Sequence, residues 1–196
     1  GLIGENGAGK STTIKLILDM LQRDGGTVTI LGRDNRTDLV HTKEEIGVVL
    51  GSEGIPLCLN AVQAGKVMAG IYRNWDAAAY AELCQKFGLP DKKQYKDYST
   101  GMKMKLCIAV ALAHLPKLLL LDEPVAGMTD DETARTAELF LTLKGKHSLM
   151  VVEHDMGFIR TISEKVTVLC DGAVLAEGTL DQVQADERVI EVYLGR

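Results

Sequence analysis

The glycine-rich stretch GENGAGKST at residues 4–12 places the strongest constraint on how this chain folds. It follows the pattern G-x-x-x-x-G-K-[ST], and it stands between a strand-like segment and a helical pattern, as a phosphate-binding loop requires. Three glycines leave room for backbone N–H groups to wrap a phosphate chain, and the following helix points its positive end at it. The alternative is a glycine-rich turn that merely enters a helix.

Individual residues of this stretch have separate expected roles. Lys10 adds a full charge at the β- and γ-phosphates, and Ser11 offers a hydroxyl to Mg²⁺. The residues predicted to contact the nucleotide are Gly4, Glu5, Asn6, Gly7, Ala8, Gly9, Lys10, Ser11 and Thr12.

The segment LLLLDEP at residues 118–124 carries the second group of candidate residues. It is typical of a buried strand, and α/β sheets bind ligands at the carboxyl ends of their strands. Asp122 is therefore predicted to hold Mg²⁺ together with Ser11, and Glu123 to polarise the water that attacks the γ-phosphate. Taken alone, the segment also fits a helix start with Asp122 as the N-cap, but its combination with the phosphate loop favours catalysis.

Two further stretches place polar residues at element ends. In YSTGMKMKL (98–106), Ser99 and Gly101 open a helix, which indicates a second anion-binding helix start. Spacing alone favours the plainer alternative, a core helix capped by Ser99. In VVEHD, His154 ends a strand expected to neighbour Asp122 and Glu123, although a lone histidine at such a position is more often structural.

The order of elements predicts one α/β domain over residues 1–196, with a mostly parallel sheet flanked by helices, as in P-loop NTPases. Residues 60–96 are helical and polar in pattern, which indicates a helical subdomain inserted at about 55–115. Helices are expected at 10–21, 101–114, 130–143 and 157–163, and strands at 46–50 and 148–154. The dipeptide Asp171-Gly172 predicts a turn between the last two strands.

Composition and charge exclude several classes of function. The longest apolar runs are far shorter than the roughly 18 residues of a membrane span. The net charge of −5 arises in the second half of the chain, so no nucleic-acid partner is expected. Four cysteines without CxxC spacing favour reduced thiols in the cytosol over a metal site.

Together the four stretches resemble the ATP-binding cassette (ABC) family, the nucleotide-binding domains of ABC transporters, from end to end of the chain. GENGAGKST resembles the family's Walker A loop, YSTGM its signature loop and LLLLDEP its Walker B strand with the catalytic glutamate. His154 resembles its switch histidine. The order and separations of the stretches also fit this family.

The resemblance implies an ATPase with ATP and Mg²⁺ as cofactors. It would form a head-to-tail dimer with a second ABC ATPase subunit and drive transmembrane permease subunits from the cytoplasmic face of a bacterial-type membrane. ATP on one Walker A loop would be capped by the partner's signature residues, here Ser99, Thr100, Gly101 and Met102. His154 would bond the γ-phosphate and position Glu123, so that both are catalytic.

Two alternatives belong to other classes of protein. A soluble ABC ATPase of DNA repair or translation would share every motif, but it usually has a long coiled coil or two cassettes, and neither is seen in this sequence. A nucleotide-binding regulator without hydrolysis is the other, and Glu123 argues against it.

Several positions depart from the family pattern. Gly51 stands where the Q-loop glutamine is usual, with Glu53 two residues later, and Thr129 stands where an aspartate is usual. In the signature, Thr100 and Met102 replace glycine and glutamine. The family's adenine-stacking aromatic residue lies upstream of Walker A, so we expect this chain to be an N-terminally truncated domain.

The two parts of the chain resemble different subgroups. Residues up to Pro124 resemble exporter-type ATPases of the multidrug and antibiotic-resistance kind. From Val125 onward the chain resembles urea or branched-chain amino acid importer ATPases. The change falls at LLLLDEP, and the charge balance changes there too, which favours a join of two lineages near residues 118–124 over a single lineage that drifted.

Overall fold

The computed structural model describes residues 1–37 and 39–194, and the chain divides into two compact units. The first comprises residues 1–39 and 150–196, and the second comprises residues 40–149. Each unit contains part of the predicted site, and each has its own parallel strand pairing.

The first unit is built on β1, which pairs in parallel with β6 on one side and β7 on the other. β7 pairs antiparallel with β8 through the predicted turn, where Asp171 and Gly172 have φ of 49° and 76°. Helix α1 packs against β1, and α8 against β7 and β8. The elements are β1 (Leu2–Gly4), α1 (Lys10–Ile17), β2 (Thr29–Ile30), β3 (Arg33–Asp34), β6 (Ser148–Val152), whose first two residues belong to the second unit, α7 (Met156–Ile162), β7 (Val166–Cys170), β8 (Ala173–Gly178), α8 (Leu180–Gln184) and α9 (Glu187–Leu194).

Helix α1 is shorter than its apolar spacing predicts. It ends at Ile17 rather than at Leu21, and Asp19 has a left-handed φ of 53°. The buried amide of Asn35 donates from Nδ2 to the carbonyl oxygens of Leu16 and Ile17, both at 2.9 Å. A side chain distant in sequence therefore satisfies the carbonyls that a further helical turn would have used.

The second unit pairs β4 with β5 in parallel, in register from Ile46 opposite Leu118 to Leu50 opposite Asp122. Its elements are α2 (Leu39–Glu44), which begins at the unit boundary, β4 (Ile46–Leu50), α3 (Ala61–Ala69), α4 (Ala77–Lys86), a 3₁₀ helix (Tyr95–Asp97), α5 (Thr100–Ala113), β5 (Leu118–Asp122) and α6 (Asp130–Leu143). Residues between β4 and β5 are thus mainly helical, where the sequence predicts a helical insert.

Helix α5 is the central element of this unit. Its residues from Met104 to Ala113 are all buried, which explains why its sequence is apolar on every side rather than on one face. It packs against β4, where a Cβ added at Gly47 would lie 2.5 Å from the carbonyl oxygen of Ala111. Glycine at position 47 therefore lets the helix approach the strand backbone.

The predicted class, parallel strands flanked by helices, is confirmed. The sequence analysis did not anticipate β3, α2, α8 and α9, which are short elements. Among the described helices, none combines the length and apolarity needed to cross a membrane. The four cysteines are free thiols.

Candidate active site

The phosphate loop (residues 4–12) turns from β1 into α1 through conformations that favour glycine. Gly7 and Gly9 have φ of 88° and 100°, values that side chains rarely tolerate. A Cβ at Gly4 would lie 2.6 Å from a backbone oxygen of β7, so the end of β1 has no room for one. The N–H of Gly172 donates to a loop carbonyl at 3.1 Å, which holds the loop against the β7–β8 turn.

The first turn of α1 has no side-chain cap. Gly9 occupies the N-cap position, and the turn contains no acidic residue. The N–H groups of a helix start lack intrahelical partners, and together with the helix dipole they attract an anion. Lys10 donates from Nζ to the carbonyl oxygens of Gly4 at 2.7 Å and Glu5 at 2.8 Å, so its ammonium lies across the loop. The loop thus presents backbone donors and a cation at one place.

The carboxyl end of β5 carries Asp122 and Glu123. Asp122 is half-buried and is the last residue of the strand, opposite Leu50 of β4. The helix-start interpretation of Asp122 does not hold, because the next helix begins at Asp130 and its N-cap is Thr129. Glu123 is exposed and has φ of 49°. A non-glycine residue in this region is strained, a feature that concentrates at functional sites.

Helix α5 begins at the predicted signature residues. Ser99 is its N-cap, and its Oγ accepts the N–H of Met102 at 3.2 Å, so the capping alternative is correct. Accepting this bond leaves the hydroxyl hydrogen able to donate to a phosphate oxygen. Ser99 and Thr100 are exposed, whereas Gly101 is buried. Capping and anion binding are therefore compatible at this helix start.

The start of α5 packs against the segment that follows β5. A Cβ at Gly101 would lie 2.9 Å from the carbonyl oxygen of Gly127, and a Cβ at Gly127 would lie 2.7 Å from the Cβ of Thr100. Gly127 also has φ of 71°. The absence of a side chain at both glycines therefore lets the backbone of the signature residues pack directly against the backbone of the segment after Glu123.

An ion pair that the sequence analysis missed joins the same two segments. Lys105 of α5 donates from Nζ to Oε1 of Glu132 at 2.5 Å, and Oε2 of Glu132 accepts the N–H of Thr129 at 3.0 Å. The Lys105 hydrogen bond, followed by the Thr129 N–H, lowers the pKa of the Glu132 carboxyl. A lysine at position 105, inside an otherwise apolar helix, is the sequence signal from which this pair could have been predicted. Thr129 itself is the N-cap of α6.

His154 follows β6 and is held by a residue that the sequence analysis also missed. Glu153 is 2% exposed, and its Oε2 accepts the N–H groups of His154 at 3.1 Å and Asp155 at 3.4 Å. The His154 side chain is 77% exposed, with Nδ1 3.7 Å from the same oxygen. Asp155 in turn caps α7. The buried carboxylate fixes the turn, and the turn presents the imidazole to solvent.

Gly51, at the position where the family pattern has glutamine, has a left-handed backbone conformation. It follows β4 with φ of 84°, and nothing lies within 4 Å of a Cβ built on it. Backbone conformation rather than lack of space therefore disfavours a side chain there. Glu53, two residues later, is exposed.

The chain matches the ABC transporter family over residues 1–126. It belongs to the ABC transporter ATP-binding family. Residues 173–196 of this ABC domain also match the branched-chain amino acid ATP-binding cassette transporter family. The order of motifs, the fold and the family match agree on an ATP-binding, ATP-hydrolysing subunit of a membrane transporter, and nothing supports the soluble or non-hydrolysing alternatives.

Relatives come from both subgroups that the sequence suggests. The domain is 30% identical over 195 residues to the ABC transporter ATP-binding protein NatA of Bacillus subtilis, covering 96% of this chain and 79% of NatA. It is 31% identical to the daunorubicin/doxorubicin resistance protein DrrA of Streptomyces peucetius, covering 94% of this chain but only 58% of DrrA. It is 27% identical to the branched-chain amino acid transport protein BraF of Pseudomonas aeruginosa, covering 99% of this chain and 86% of BraF.

Solved structures share the fold. The ATP-binding subunit of an ABC transporter superposes with a TM-score of 0.85 at 25% identity, covering 99% of this chain and 85% of that one. A dimeric ATP-binding cassette in a post-hydrolysis state, bound to ADP and phosphate, superposes with a TM-score of 0.78 at 24% identity. The match covers 91% of this chain and 84% of that one. The family and fold predicted from the motifs are confirmed.

Proposed function

We propose that this ABC domain binds ATP on the phosphate loop, hydrolyses it in a head-to-tail dimer and thereby drives permease subunits at the cytoplasmic face of a membrane. The observation that carries the proposal is the uncapped start of α1 with the Lys10 ammonium lying across the loop. Backbone N–H groups, a helix dipole and one lysine are the parts that hold a triphosphate.

Catalysis is assigned to residues at two strand ends. Glu123, exposed after β5, polarises the attacking water, and His154, presented by the Glu153-held turn, contacts the γ-phosphate. The Ser11 hydroxyl and the Asp122 carboxylate are hard oxygen donors of the kind that Mg²⁺ prefers, and each would supply one ligand. When bound, Mg²⁺ neutralises phosphate charge.

A second ABC subunit is part of the proposal because α5 offers another anion-binding helix start. Its N-cap Ser99 and first residue Thr100 are exposed at the start of a long buried helix, and one nucleotide seldom needs two separate phosphate-binding sites. We assign Ser99, Thr100, Gly101 and Met102 to the γ-phosphate of ATP that is bound by the other subunit. The relatives named as transport ATP-binding proteins support permease subunits as the further partners.

Glu123→Gln tests the proposal, with Glu138→Gln on the exposed face of α6 as the matched carboxylate control. A water-polarising carboxylate acts only as the γ-phosphate leaves, so Glu123→Gln should lose turnover while ATP stays bound. In size-exclusion chromatography it should form a dimer with ATP and remain a monomer with ADP.

Adding Ser99→Arg to Glu123→Gln should abolish that dimer, because a bulky cation would occupy the interface position of the signature residue. Glu138→Gln should hydrolyse ATP as the parent does. If Glu123→Gln hydrolyses ATP at the parent rate, or stays monomeric with ATP, the catalytic assignment is wrong.

A further inference from the structure

Three segments of the second unit are joined by a chain of hydrogen bonds centred on the buried Tyr95. Tyr95 is fully buried in the 3₁₀ helix, and its Oη lies 2.5 Å from the carbonyl oxygen of Ser52. The same Oη lies 3.3 Å from Sγ of Cys107 on α5. The backbone N–H of Gly54 also bonds to Cys107. The segment after β4, the 3₁₀ helix and α5 thus share one network.

The donors and acceptors in this network have only one consistent order. A carbonyl oxygen can only accept, so the Tyr95 hydroxyl donates its hydrogen to Ser52. The Cys107 thiol must then donate to Tyr95 Oη, while its sulfur accepts the N–H of Gly54. Burial raises the pKa of both the Tyr95 hydroxyl and the Cys107 thiol, which keeps both hydrogens in place at neutral pH.

The network joins the segment after Gly51 to the helix that begins at the predicted signature residues. Residues 52–54 directly follow Gly51, which stands at the Q-loop glutamine position. Cys107 lies eight residues after Ser99 on a helix, a distance of about 12 Å at 1.5 Å per residue. Lys103, one helical turn before Cys107, places Nζ 5.6 Å from the centre of the Tyr95 ring. Tyr95 is therefore held on its ring and at its hydroxyl by the same helix.

We propose that Tyr95 and Cys107 are positioning residues that fix residues 52–54 to α5, the helix that begins at the signature residues and is called the signature helix below. The two segments then move together during ATP turnover. The proposal rests on the function proposed above, because it assigns turnover to the same signature helix. It differs from a packing role in one respect: the hydroxyl and thiol hydrogens are needed, and filling the space is not sufficient.

Four variants separate hydrogen bonding from packing. Tyr95→Phe removes the hydroxyl and keeps the ring, and Cys107→Ala removes the thiol. Cys107→Ser keeps a donor and an acceptor, so it is the conservative rescue variant. Tyr80→Phe is the matched control, because Tyr80 is also buried but donates to the carbonyl oxygen of Ala61 at 2.7 Å, outside the network.

Steady-state ATPase kinetics give the first readout. Loss of one neutral hydrogen bond changes an equilibrium by about fivefold, so Tyr95→Phe and Cys107→Ala should lower kcat by about that factor. KM should stay within about twofold of the parent, because neither residue belongs to the phosphate loop. Cys107→Ser and Tyr80→Phe should keep most of the parent kcat. An equal loss in Tyr80→Phe, or no loss in Tyr95→Phe, overturns the positioning role.

Amide hydrogen exchange gives a readout independent of activity. Exchange of residues 52–54 should rise about fivefold in Tyr95→Phe and stay unchanged in Tyr80→Phe. A parent protein that hydrolyses no ATP overturns the proposed function and the positioning role with it. Unchanged exchange in Tyr95→Phe of an active parent overturns the positioning role alone.

Discussion

Replacing Lys105 by methionine should destabilise the protein measurably, because the change removes the charge and keeps most of the apolar stem. Lys105 bonds to Glu132, and the side chains of the two residues are 9% and 30% exposed. A hydrogen bond to a charged group contributes roughly 1.5–3 kcal/mol. Solvent reaches Glu132 and screens the pair, so we expect a loss of about 1–2 kcal/mol.

The pH dependence of this loss has a definite sign. The folded-state pKa of Glu132 lies below its ordinary value of 4.5, chiefly through the Lys105 hydrogen bond. A lowered carboxyl pKa stabilises the folded state above the unfolded pKa, and this stabilisation is lost as the pH falls through the folded value. The difference in unfolding free energy between the parent and Lys105→Met should therefore have its largest value at pH 7. It should decrease as the pH falls below about 4.5.

Thermal unfolding at pH 7 and at several acidic pH values tests both expectations. For a domain of this size the melting temperature should fall by roughly 3–6 °C in Lys105→Met. The matched control is Lys117→Met, which removes a pair to Glu45 at 2.6 Å whose lysine is 63% exposed. This change should cost about 0.5 kcal/mol or less. A Lys105→Met melt within 1 °C of the parent's, which is about a third of the smallest expected shift, or a difference that widens in acid, would refute the reasoning.

Two other substitutions have expected outcomes. Lys10→Ala should weaken ATP binding at least about tenfold, because a charged contact to the phosphates is lost; isothermal titration should show no such loss for Lys15→Ala on the exposed face of α1. Gly101→Ala should lower the melting temperature although alanine favours helices, because its Cβ would meet the Gly127 carbonyl at 2.9 Å. Gly70→Ala, whose Cβ would meet ordinary contacts at 3.4 Å, is the control and should not lower it.

Local pattern was sufficient to predict the strand, loop and helix around the phosphate loop. Glycine spacing determines that geometry within nine residues, and the apolar runs of β5 and β7 are visible without knowledge of their neighbours. Helix α6 has its predicted limits because its capping box, Thr129 with Glu132, lies within the helix start itself. Where the physical cause is local, the sequence analysis agrees with the structure.

The remaining features depend on residues distant in sequence. The end of α1 is set by Asn35, whose amide reaches carbonyls 18 and 19 residues earlier. In the sequence, nothing distinguishes Glu153 from other polar residues at strand ends. Only the structure shows that its buried carboxylate accepts two N–H groups. Tyr95 and Ser52 are 43 residues apart. No periodicity links such pairs, because their geometry exists only after the elements have packed.

Helix α5 shows how a largely apolar sequence acquires two distinct rows of contacts. Gly101 and Lys105 are four residues apart, and so lie on one face, against Gly127 and Glu132. Lys103 and Cys107 are also four apart and face Tyr95. Because the rows are offset by two residues, about 200° around the axis, they lie on opposite sides of the helix. We therefore expect a displacement of the signature end of α5 to be shared by the segment after β5 and, through Tyr95, by the segment after β4.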